Sequence, residues 1–119
     1  MITGIRIDED GTLTVVTIDN TSITGIAAGI RLQVGCEVFD LLRFPDRIDM
    51  WLDDEGLYRA NVNPVASAIG HLHETADVIC GPVLFLSSNG DGDTLSLTDE
   101  QRADIGLWFR YVTTIRATA

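Results

Sequence analysis

The residues best able to do chemistry fall into four short groups. Asp53, Asp54 and Glu55 are adjacent carboxylates that could hold a cation or work as an acid and a base. His71, His73 and Glu74 precede Cys80, and all four are zinc-ligand types. Asn89, Asp91 and Asp93 alternate, with Glu100 at the twelfth position counted from Asn89, as in a calcium loop. Gly25 and Gly29 sit four apart, where a phosphate-cradling loop could be sought.

Each group has a plainer reading that its spacing favours. Acidic residues followed by Gly56 are the ordinary content of an exposed hairpin tip. His71 and His73 are two apart and diverge on a helix, and neither C-x-x-C nor H-x-x-x-H spacing occurs. Their position suits the negative end of a helix dipole. The sixth position of the calcium-like loop is Thr94 where glycine is required, so residues 87–93 read as a mobile turn. The two glycines lack the dinucleotide fingerprint, and the chain has no lysine for a Walker loop. Cys36 and Cys80 are too few for a disulfide framework and read as small buried hydrophobes. No nucleophile is paired with an oriented base, so the expectation is no catalytic residue, no metal and no cofactor.

Eighteen acidic against eight basic side chains, all of them arginine, give a formal net charge of -10. That balance opposes binding to a nucleic-acid backbone, which needs clustered cations. It suits contact with basic protein surfaces, including those that normally hold DNA. No apolar run approaches the roughly 20 residues of a membrane span, and the start has no charged leader before an apolar block. A soluble, cytoplasmic protein is expected. With 119 residues, 45% of them apolar, residues 1–119 form one domain that buries about two thirds of its unfolded surface.

The elements that must position these groups follow from periodicity. Ile2, Ile5 and Ile7, then Leu13, Val15, Val16 and Ile18, flank Asp-Glu-Asp-Gly and predict an N-terminal hairpin. Ile23, Ile26, Ala27, Ile30 and Val34 mark one buried helical face, ended by Gly35, with Gly25 and Gly29 allowing close approach to the sheet. Residues 36–44 predict the third strand. Pro45-Asp46 turns the chain into a fourth, in which Ile48, Met50 and Leu52 alternate with Arg47, Asp49 and Trp51. Leu57, Tyr58 and Arg59 predict a short strand pairing back onto it. Asn63-Pro64 opens a helix that buries Val65, Ile69 and Leu72. Residues 77–86 predict a further strand, with Gly81-Pro82 suiting an edge or a bulge. Thr98 to Gln101 is a capping box, and Ile105, Trp108, Phe109, Val112 and Ile115 stripe a terminal helix. The fold class is α+β, a mostly antiparallel sheet packed against three helices in the order ββαββαβα.

Met50-Trp51-Leu52-Asp53-Asp54-Glu55-Gly56-Leu57, then Asn63-Pro64-Val65-Ala66, then Ile79-Cys80-Gly81-Pro82-Val83, resemble in this order the small DUF3846 domains, over nearly the whole chain. The resemblance implies the setting of that family, which is actinobacteria with their plasmids and phages. It brings no activity and no catalytic residues.

The functional expectation is a non-enzymatic acidic accessory protein of a mobile element or phage that binds a protein partner, one with a basic or DNA-binding surface. A homo-oligomer is compatible with this; direct nucleic-acid or membrane binding is not. The alternative is a small-molecule or nucleotide-binding domain with a pocket near residues 53–63. The candidate binding residues are Trp51, Asp53, Asp54, Glu55, Arg59 and Asn63. Trp51 qualifies as a contact residue only if no helix covers its face of the sheet; otherwise its ring lies over a cross-strand neighbour.

Overall fold

A computed structural model describes residues 1–75 and 78–118, and the side chains of residues 1–75 and 78–114. The N-terminal hairpin forms as its alternation requires, from β1 (Ile2–Ile7) and β2 (Leu13–Ile18). Helix α1 (Ile23–Val34) follows, then β3 (Phe39–Phe44) and β4 (Ile48–Asp53) as a second hairpin. A one-turn helix α2 (Gly56–Arg59) leads to α3 (Pro64–Leu72), β5 (Val83–Ser88), the two-residue β6 (Thr94–Leu95) and the long α4 (Asp99–Thr118). The described strands make one antiparallel sheet in the order β2-β1-β5-β4-β3, with β6 also paired to β5.

Side chains alternate across the sheet, so each face carries its own apolar layer. On one face α1 packs Ile30 and Val34 over Ile2, Ile18, Leu84 and Leu86. On the other, α3 and α4 bring Val65, Ile69, Ile105 and Val112 onto Ile5, Ile7, Met50 and Phe85. The result is an α+β domain with helices on both faces of an antiparallel sheet.

The caps are those that the residue types dictate. Ser22 Oγ accepts from Gly25 N at the start of α1, and Gly35 closes it at φ 74° while donating to Arg31 O. The α4 capping box is complete: Gln101 Oε1 accepts from Thr98 N at 2.9 Å and Thr98 Oγ1 from Gln101 N at 3.1 Å. Gly29 allows α1 to approach the sheet, since a methyl group there would stand 2.7 Å from Ile18 Cβ. A methyl at Gly25 would instead meet the cap, with Ser22 Oγ and Asp19 O its nearest atoms.

Four further expectations change. Residues 57–59 are helical, because β4 already pairs with β3 on one side and β5 on the other and leaves no edge to receive another strand. The backbone bonds to itself instead, Ala60 N donating to Gly56 O. The strand placed at 77–86 begins at Val83 and is a central strand buried along its length. Pro82 precedes it, so its missing N–H costs no ladder bond; Asp77 lies outside the described residues. Ile23, at the first position of α1, stands clear of the sheet at 87% exposed. Leu72, in the last turn of α3, points to the surface at 41% exposed. In the α4 stripe Ile105 and Val112 are buried and Trp108 and Phe109 half-buried, whereas the Ile115 side chain lies outside the described ones.

Candidate functional site

The candidate residues gather at the end of the sheet where β1 and β4 leave it. The 8–10 turn follows Ile7, which pairs with Val83, and the 53–55 turn follows β4, whose Trp51 pairs with Leu84. Both turns therefore flank the start of β5. The acidic 91–93 turn follows β5 and lies at the opposite end.

Asp53 is not an exposed tip residue. It is 7% exposed: Oδ1 accepts from Glu55 N at 2.8 Å, and Oδ2 accepts from Arg59 Nη2 at 2.9 Å and Nε at 3.3 Å. The same Arg59 Nη2 reaches Gly35 O at 3.3 Å, which ties the end of α1 to α2. The Asp53 carboxylate raises the already high affinity of Arg59 for its proton, first through the hydrogen bond and then through its charge. Asp54 and Glu55 carry the free carboxylates of this turn.

Asn63 is fully buried and fully used. Its Oδ1 accepts from Ala66 N and caps α3, its Nδ2 donates to Ile7 O at 3.0 Å and Gly81 O at 2.9 Å, and its backbone N–H bonds Ile79 O. It joins β1, α3 and the approach to β5, and offers no free group to a ligand. Gly56 permits the close approach beside it, since a methyl there would lie 2.7 Å from Cys80 O.

Helix α1 covers the face that bears Trp51, whose half-buried ring meets Phe39 edge-on with centroids 5.2 Å apart. Phe39 lies diagonally across the strand pair, since Leu41 is the direct partner of Trp51.

What this frame exposes is apolar. Tyr58 is 90% exposed, Leu57 69% and Val62 52%, beside the free carboxylates of Asp54 and Glu55. We term this segment the knuckle. The sequence assigned Leu57 and Tyr58 to a strand; the overlooked signal was Asp53, which can accept from the backbone two residues on at Glu55, with Gly56 next in the chain.

The cavity nearest the 53–63 segment has a volume of about 540 Å³ and is lined by Ala28, Arg31, Leu32, Gly35, Cys36, Glu37 and Arg59. Arg59 is the one residue of that segment in its lining, and both guanidiniums are engaged, Arg59 by Asp53 and Arg31 by Glu37 O at 2.8 Å. Burial and the Asp53 charge push the Cys36 thiol up, with Arg59 and Arg31 only partly opposing them, so the thiol stays protonated at neutral pH. His73 packs against Phe44 and Trp108 in the opposite core layer, so the sheet separates imidazole from thiol.

In the 89–93 turn, Asn89 Oδ1 accepts from Asp91 N and Asp93 N, and Asn89 Nδ2 donates to Asp93 Oδ2. These bonds tie the hairpin turn between β5 and β6. Among the described residues no three His, Cys, Asp or Glu side chains are grouped as metal ligands, and no helix is long and apolar enough to cross a membrane.

A second surface lies between α3 and α4. Leu72, Leu107, Trp108, Arg110, Tyr111 and Thr114 line an open groove of about 600 Å³. Leu107 and Tyr111 are four apart on the outer side of α4, off the stripe that meets the core. Apolar residues on two sides of one helix were the legible sign of this surface.

The family model described as Domain of unknown function (DUF3846) matches residues 2–110, so the chain belongs to that family. No curated protein and no solved structure matches the chain.

Proposed function

We propose that this member of the DUF3846 family is a non-enzymatic protein-binding module, an accessory of a phage or other mobile element, and that its knuckle is the contact surface. The observation that carries the reading is an exposed tyrosine and leucine beside free carboxylates, on a frame in which Asp53 and Asn63 are already satisfied. A preordered support lowers the entropy cost of binding, and a rigid aromatic is the residue type that dominates contact energetics. Asp8, Glu9 and Asp10 lie at the same end of the sheet and add negative charge, which favours a basic partner surface.

The test is affinity capture from lysate of the expressing cell with the wild type and with the Leu57→Ser, Tyr58→Ser double variant. The expected result is a basic protein retained by the wild type, released by raised salt and lost with the double variant. A retained set that is identical for both proteins would overturn the reading.

A further inference from the structure

The groove between α3 and α4 is unrelated to the knuckle frame, and its occupant can be argued from charge. Leu107 is 59% exposed and Tyr111 55%, with Leu72 beside them at the end of α3. Three residues before Leu107 stands Asp104, and three residues after it stands Arg110. Neither side chain makes an ion pair with another described residue.

At about 100° per residue, Asp104 and Arg110 flank Leu107 symmetrically, on either side of its direction and about one turn above and below it. An antiparallel copy of α4 related by a two-fold axis through Leu107 reverses that order. Asp104 of each chain then stands level with Arg110 of the other, across the seam from it, and the two Leu107 side chains meet on the axis. Two-fold interfaces require this self-complementarity, residue i against j and j against i. A foreign basic helix would be drawn to Asp104 but would leave Arg110 facing a like charge. The carboxylates of the knuckle and of the 8–10 turn lie at the end of the sheet away from the start of α4, where Gln101 meets Asp46 O and Ser87 Oγ. At physiological ionic strength charges that far apart are largely screened, so the net charge does not forbid pairing.

We propose that α4 and the end of α3 form a homodimer interface, in which Leu107 and Tyr111 pack against a second copy and Asp104 pairs with Arg110 of that copy. The dimer would present two knuckles, which raises avidity for a repeated partner without a new contact.

The experiment is sedimentation equilibrium across a concentration series, with circular dichroism to verify folding. The wild type is expected to show a monomer–dimer equilibrium that Leu107→Asp abolishes, and Tyr111→Ser serves in its place if that variant fails to fold. Asp104→Arg and Arg110→Asp should each weaken the dimer by roughly threefold to tenfold, since each substitution removes two pairs in a two-fold interface. Combined, the two substitutions should restore it. A monomeric wild type at about 100 µM, well above the micromolar dissociation constants of modest interfaces, overturns the proposal. So does a dimer indifferent to Leu107→Asp, or a charge swap that fails to restore association. A wild-type monomer whose Trp108 fluorescence responds to a cationic amphipathic peptide overturns it in favour of a foreign helix.

Discussion

The knuckle and the α3/α4 groove both expose apolar side chains, but they rest on opposite kinds of support. Beneath the knuckle the chemistry is polar and complete: Asp53 binds Arg59 and Glu55 N, and Asn63 spends both amide hydrogens and its oxygen inside the fold. Beneath the groove it is aromatic and incomplete. His73 packs 4.3 Å from Trp108 and 5.4 Å from Phe44 between ring centroids, and its Nε2 is buried without a hydrogen-bond partner. Hydrogen bonds fix the knuckle in one geometry and make its frame residues expensive to alter. Ring packing leaves the groove floor sensitive to one proton.

The largest effect should come from Asn63. Asn63→Ala removes the α3 cap, worth about 1 kcal/mol, and strands the carbonyls of Ile7 and Gly81, so the loss should total about 3 kcal/mol. Asn63→Asp keeps the cap oxygen but sets a buried carboxylate oxygen against the carbonyls of Ile7 and Gly81, so it should cost at least as much as the alanine variant. Urea denaturation decides it; a loss near 1 kcal/mol for the alanine variant would mean that water satisfies those carbonyls and that the frame is looser than drawn.

Next comes the acidic turn, whose three carboxylates are unequal. Asp53→Ala leaves Glu55 N and Arg59 without their acceptor and should cost about 2 kcal/mol, below the loss for a wholly buried pair because Arg59 is 45% exposed. Asp54→Ala and Glu55→Ala together should stay within about 0.5 kcal/mol. Reversing all three charges at once therefore measures folding through Asp53 as much as binding, and only the Asp54, Glu55 pair isolates electrostatics. Equal losses at all three positions would erase the distinction between frame and surface.

That inequality marks where sequence reasoning ended. The hairpin, the Gly35 stop, the Asn63-Pro64 start and the Thr98–Gln101 box were all legible because each depends on residues within a few positions of one another. Asp53 looked like a tip residue because its partner Arg59 acts only once α2 forms. That helix forms because β3 and β5 occupy both edges of β4, a fact of topology that no local pattern carries. Leu72, Leu107 and Tyr111 were apolar and periodic enough to be read as core or passed over. Their exposure follows from where α3 ends and how α4 rolls on the sheet.

On the groove side the expected effect is smaller and takes the form of a pH dependence. Burial holds the His73 imidazole below its ordinary value of 6.5, so the folded state takes up its proton less readily than the unfolded chain. Its contribution to stability is complete above pH 6.5 and is lost as pH falls from there toward the folded-state value. The difference in unfolding free energy between wild type and His73→Phe, which keeps a ring between Phe44 and Trp108, should therefore shift against the wild type as pH drops. A difference flat with pH, or one of opposite sign, would show that His73 finds a proton acceptor and that the floor is not the incomplete one described.

The smallest effect is the one that separates display from support most sharply. Leu57 and Tyr58 project from a single helical turn into solvent, and neither belongs to an apolar core layer. Their apolar area is exposed before and after folding, so removing it should change little. The Leu57→Ser, Tyr58→Ser double variant should stay within about 0.5 kcal/mol of the wild type in urea, as surface substitutions away from caps and buried networks do. Asn63→Ala, beneath the same surface, should cost several times more. Stability held while partner binding falls is the behaviour of a display surface, because the frame survives and only the contact is lost. If the double variant instead unfolds as readily as Asn63→Ala, the two side chains support the frame they stand on, and the knuckle is not a surface kept free for a partner.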